Sequence, residues 1–124
     1  MDPTDPLSAR ALLPFVPARD YALSQAFYRD LGFEQAYRDE QLTEFVLGPC
    51  RFYLQNFYEP ALASNYVLQL LVEDLEHWWE RMQAQQLAAR YPGVRLQAPT
   101  DKPWGQRTVT LIDPSGVLWY LAQV

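Results

Sequence analysis

One order of elements occurs twice in this chain of 124 residues. In the first half "ALLPFV" reads as a short buried strand, and Pro17 ends it. "RDYALSQAFYRDLGF" follows with helical spacing: Leu23, Phe27 and Leu31 recur every fourth residue, with Ala26 beside them. Asp20 stands where an N-cap belongs and Gly32 where a left-handed C-cap belongs. "FEQAYR" and "TEFVL" are strand-like runs around a polar Asp39-Glu40-Gln41 connection, and Gly48-Pro49 turns the chain into "RFYLQNF". The second half repeats the order with "NYVLQLLV", the helical "EDLEHWWERMQAQQL", and three strands, "VRLQA", "QRTVTLI" and "VLWYLAQ". Asp74 caps there as Asp20 does, and Leu75, Trp78, Trp79 and Met82 form the helix's apolar stripe.

The duplication constrains the fold more than any single motif. Two βαβββ modules, about 9–58 and 65–124, at a spacing of about 55 residues make one α+β domain. A four-stranded sheet with one helix covers only one of its faces. Two such modules together predict a curved mixed sheet around a cup-shaped cavity, lined by alternate side chains of several strands.

Alternation names the wall of that cup. In "RFYLQNF", Arg51, Tyr53, Gln55 and Phe57 share one face, while Phe52 and Leu54 share the other. Val67, Gln69 and Leu71 alternate with Leu68 and Leu70. In the last strand Tyr120 shares a face with Leu118 and Ala122, leaving Trp119 and Leu121 for the helix side. Gln55 and Gln69 are amides on strands that otherwise read as buried, so each is either paired internally or open to a ligand. Trp104, in the Pro-rich loop "APTDKPWGQR", is either a lid over the mouth or packing at a seam between chains. Arg107 is placed to pair with an acidic ligand or with Asp113.

Composition removes several function classes. Hydrophobic residues are 49% and charged residues 20%, an ordinary globular balance. The net charge of −5 comes without any Arg/Lys cluster, which argues against nucleic acid and anionic membrane surfaces as partners. No run reaches the roughly 18 apolar residues of a membrane span. "MDPTDPLSAR" lacks the features of a signal peptide, and the single cysteine, Cys50, cannot form an internal disulfide, so a reducing cytoplasm is the expected setting. His77, the one histidine, reads as a solvated residue of the second helix, and it leaves a nucleophile triad without a base in the cup.

"PFVPARDYALSQAFYRDLGF", "LQLLVEDLEHWWERM" and "WGQRTVTLIDPSGVLWYL", taken in order, resemble the vicinal-oxygen-chelate superfamily, which includes glyoxalases, bleomycin-resistance proteins and extradiol dioxygenases. Enzymatic members hold a divalent metal with His or Glu side chains. Carried over by position, the resemblance puts those ligands at about Ala11, at Val67, at Tyr120 and near Tyr53 or Gln55. Ala and Val cannot coordinate a metal, so the resemblance is closest to the metal-free, bleomycin-resistance-like members.

That resemblance implies a homodimer whose cups are completed across two chains, with no metal and no other cofactor. The expected activity is sequestration of a hydrophobic or aromatic small molecule, such as an antibiotic, by Tyr53, Gln55, Phe57, Val67, Gln69, Trp104, Arg107 and Tyr120. The alternative is a metal-dependent glyoxalase-like lyase or dioxygenase, with carboxylates such as Glu44 or Glu73 reaching the cup.

Overall fold

A computed structural model describes residues 6–124. The first module runs β1 (Phe15–Pro17), α1 (Tyr21–Leu31), β2 (Glu34–Arg38), β3 (Leu42–Leu47) and β4 (Cys50–Gln55). A short helix α2 (Pro60–Ala63) leads into the second module. That module runs β5 (Val67–Val72), α3 (Leu75–Ala84), α4 (Leu87–Arg90), β6 (Arg95–Asp101), β7 (Arg107–Ile112) and β8 (Leu118–Gln123). The strands form two four-stranded mixed sheets in the matching orders β1-β4-β3-β2 and β5-β8-β7-β6. In each, the first strand runs parallel to the last, and the remaining neighbours are antiparallel.

The helix ends follow the capping residues. The Asp20 carboxylate accepts the Leu23 N–H at 3.1 Å, and Asp74 accepts that of His77 at the same distance. Gly32 closes α1 at φ 133°, a backbone conformation that side chains rarely adopt, and its N–H reaches the carbonyls of Tyr28 and Arg29. Two details differ from the sequence reading. The first strand is three residues long, because residues 11–14 lie ahead of it and only the Pro14 carbonyl is engaged, by the Tyr53 N–H. The second helical run breaks at Gln86, which sits in the left-handed region at φ 52° and starts α4.

A single apolar core serves both modules. Phe27, Tyr28 and Leu31 of α1 pack on Phe45, Phe52 and Leu54 of the first sheet, while Leu75 and Met82 of α3 pack on the second. The core faces of the two sheets meet where Phe52 and Phe33 contact Trp119, with ring centroids 5.3 and 5.9 Å apart. Polar groups reinforce this seam. The buried Tyr28 hydroxyl donates to Asp113 Oδ2 at 2.6 Å and accepts from Trp119 Nε1 at 2.9 Å. Asp113 Oδ1 accepts the N–H groups of Ser115 and Val117, which fixes the β7–β8 turn. Asp30 of α1 accepts from both Arg90 and Tyr91 of the second module.

Candidate functional site

Because the core faces of the sheets meet each other, the alternate faces look away from the core and stay largely open, with Thr108 and Ala122 on the second buried. Phe15 is 45% exposed on the first, and Val67 and Leu71 are 54% and 52% exposed on the second. The predicted wall residues therefore fall into two groups, one on each open face. No hydrogen bond or ring contact joins the groups among the described residues.

On the first sheet, Tyr53 is in register with Phe15 on β1 and Glu44 on β3. Its ring lies 5.0 Å from that of Phe15. Arg51 Nη1, one pleat away, is 3.7 Å from Glu44 Oε1. Gln55 is half-buried beside Pro17 and Leu42, and its amide has no hydrogen-bond partner among the described residues. Phe57 lies just past β4, half exposed, where its carbonyl accepts the Ala18 N–H.

On the second sheet, cross-strand register aligns four polar side chains in one row: Gln69, Tyr120, Thr110 and Gln97. Mostly apolar rows flank it, with Val67, Leu118 and Ile112 on one side and Leu71 and Ala122 on the other. The loop before β7 folds onto this row. Its turn is closed by the Lys102 N–H to Gln106 carbonyl bond and by Gly105 at φ 95°. Trp104 sets its ring 5.9 Å from Tyr120 in an edge-on contact and keeps more than half its surface exposed. The Gln69 amide donates to Gln106 Oε1 at 2.9 Å, and Lys102 Nζ donates to Gln97 Oε1 at 3.1 Å. Neither Gln55 nor Gln69 is a buried core amide, because both strands keep one open face.

Arg107 does not join this group. It alternates with Thr108 and Thr110, so it projects to the helix side, where Nε donates to Glu76 of α3 at 3.0 Å and Nη1 lies 3.6 Å from Asp101. The side-chain bond to Glu76 also holds its pKa above the ordinary guanidinium value. Asp113, the partner proposed from sequence, is already committed to Tyr28 and the turn. Sequence reasoning passed over Phe15, Thr110, Gln97 and Gln106. Their signal was strand register, which alternation within one strand does not contain.

The positions the resemblance assigned to metal ligands do not suit a metal. Val67 faces Leu118 across the strand pair, and Tyr120 has Gln69, Thr110 and Trp104 around it. Ala11 lines a concavity of about 300 Å³ between the chain's lead, the start of β4 and β5, together with Leu13, Cys50, Arg51 and Gln69. Among the described residues, no group of three or more His, Cys, Asp or Glu side chains is arranged to hold an ion.

The family model described as the Glyoxalase/Bleomycin resistance protein/Dioxygenase superfamily matches residues 11–121. A bleomycin resistance protein from Klebsiella pneumoniae is 32% identical over 116 residues, covering 89% of each chain. A crystal structure of a bleomycin-binding protein complexed with bleomycin is similar at a TM-score of 0.78 and 28% identity, over 94% of this chain and 99% of that one. A bleomycin resistance determinant encoded on a transposon is similar at a TM-score of 0.76 and 29% identity, over 93% and 98% of the two chains.

Proposed function

The chain belongs to the Glyoxalase/Bleomycin resistance protein/Dioxygenase superfamily, and from that premise we propose that it binds and sequesters a bleomycin-type antibiotic without chemical change. The likeness to a bleomycin resistance protein over 89% of both chains carries this reading. The residues agree with it in kind. The open faces offer ring surface from Phe15, Tyr53, Trp104 and Tyr120, with the amides of Gln55 and Gln69 beside it. A planar ligand group gains contact area from such rings, and the amides orient its polar parts.

The predicted wall residues of one chain lie on two separate sheet faces, and in this reading a second copy completes the cup. In the homodimer, Tyr53, Gln55 and Phe57 of one subunit face Val67, Gln69, Trp104 and Tyr120 of the other across the ligand. The net charge of −5 favours the approach of a cationic ligand over an anionic one. Cys50 is an exposed free thiol, in keeping with a cytoplasmic protein.

The test is a titration of the purified protein with bleomycin, read by tryptophan fluorescence and calorimetry, with and without added divalent metal. Saturable binding with bleomycin recovered unmodified supports sequestration. A metal-dependent turnover of a glyoxalase or catechol substrate, with no bleomycin binding, would replace this reading with the lyase or dioxygenase alternative.

A further inference from the structure

Thr110 is the second sheet's one buried polar anomaly. Its hydroxyl oxygen is enclosed and has no hydrogen-bond partner, alone in this among the buried side-chain polar atoms of the described residues. The residue as a whole is only half-buried. It sits mid-strand on β7, directly across from Tyr120 on one side and Gln97 on the other. Elsewhere this chain satisfies its buried hydroxyls with care: Thr43 is engaged by Tyr21 and Gln25, Thr108 donates to the Gln106 carbonyl, and Ser115 accepts the Arg19 N–H. A buried hydroxyl left unpaired is destabilising, and valine would fill the same space on a strand without that penalty.

Its neighbours in the row show what the hydroxyl is beside. Gln69 is engaged by Gln106, and Gln97 by Lys102, both from the loop that also carries Trp104. The loop thus meets the polar needs of the row at its two amides and leaves Thr110 unmet between them. We propose that Thr110 is a specificity-determining residue of the ligand site. Its hydroxyl hydrogen-bonds an amide or hydroxyl group of the bound molecule that enters the row between Tyr120 and Gln97. The ligand class this selects is one with a planar end for Trp104 and Tyr120 and a chain of amide or sugar groups for the row. A glycopeptide has that form; a plain aromatic hydrocarbon does not. The oxygen is enclosed in the free chain, so this bond forms only as the side chains over it turn aside for the ligand.

This inference rests on the sequestration reading, and the experiment separates the two. Wild type, Thr110→Val and Thr110→Ser are each titrated with bleomycin, and the melting temperature of each free protein is measured. Thr110→Val is expected to bind about tenfold more weakly, equivalent to about 1.4 kcal/mol. Its free form should melt as high as wild type or about 2–4 °C higher, because an unpaired polar atom has been removed. Thr110→Ser, which keeps the hydroxyl, should bind within about threefold of wild type. Equal affinity of Thr110→Val and wild type overturns the role of Thr110 while leaving sequestration standing. A lowered melting point for Thr110→Val also overturns it, since the hydroxyl would then have a structural partner. Absence of bleomycin binding by wild type overturns the sequestration reading, and the assignment of Thr110 with it.

Discussion

Tyr28 carries one hydroxyl on which two other buried groups depend. It donates to Asp113 and accepts from Trp119, and these three residues come from α1, the β7–β8 turn and β8. Burial pushes its pKa well above the ordinary tyrosine value, and the neighbouring Asp113 charge pushes it further. Burial also raises the Asp113 carboxyl, against hydrogen bonds from Tyr28, Val117 and Ser115 that hold it down. Tyr28→Phe removes one of those bonds and leaves both Asp113 Oδ2 and Trp119 Nε1 without their partner. The expected loss is about 1–3 kcal/mol of stability in urea unfolding at neutral pH. Its pH dependence follows from the sign of the Asp113 shift. A carboxyl whose folded pKa is raised favours the folded state most at low pH, and that contribution is lost as pH rises through the folded pKa. Without Tyr28 the raised value climbs further, so the variant's deficit should shrink as Asp113 becomes protonated in acid. A deficit that is constant from neutral to acidic pH would mean that the Tyr28–Asp113 bond is not its source.

Among the elements, the parts readable in the sequence were those with a local cause. Asp20 and Asp74 cap their helices through contacts three residues away, and the Asp113-Pro114-Ser115-Gly116 turn is closed by its own aspartate. The faces of β4, β5 and β8 followed from alternation alone, with Phe52, Leu54, Trp119 and Leu121 inward as expected. What escaped had a non-local cause. Arg107 was assigned to the cup because β7 was read without its register, and Glu76 of α3 claims it on the other side. The half-exposure of Gln55 and Gln69 depends on which faces meet the core, which neither strand's sequence contains. Gly32 shows how strong a local signal can be: the N–H of this residue ends α1 only at φ 133°, a value that L side chains rarely adopt. Space is not the constraint, since an added Cβ would stand 3.4 Å from Arg81 Nε. Gly32→Ala should therefore cost about 1 kcal/mol or more through the backbone alone, lowering the melting temperature by about 3–5 °C. An unchanged melting point would mean the chain can end α1 in another conformation at no cost.

For the whole molecule, the duplicated modules solve one burial problem and leave another. Placing the two core faces together gives one shared core, with Phe52 against Trp119 at its seam. The same arrangement turns both ring-bearing faces to solvent, with Phe15, Val67, Leu71 and Trp104 each roughly half exposed. Apolar surface of this kind, gathered on two faces rather than scattered, is what an association surface looks like. β1 and β5 are also edge strands of their sheets. If a second copy covers both faces at once, as proposed above, dimerisation and ligand binding fail together. Leu71→Glu puts a charge on the open face of β5, where the isolated chain loses little because the side chain is already half in water. Sedimentation should then show the mass of one chain in place of two, with the circular dichroism of the fold retained and bleomycin affinity lost. Two chains of net charge −5 repel each other, so added salt should tighten the wild-type dimer and partly restore that of Leu71→Glu. A Leu71→Glu protein that stays dimeric and binds bleomycin as wild type does would show that the open face of the second sheet is not what the second copy covers.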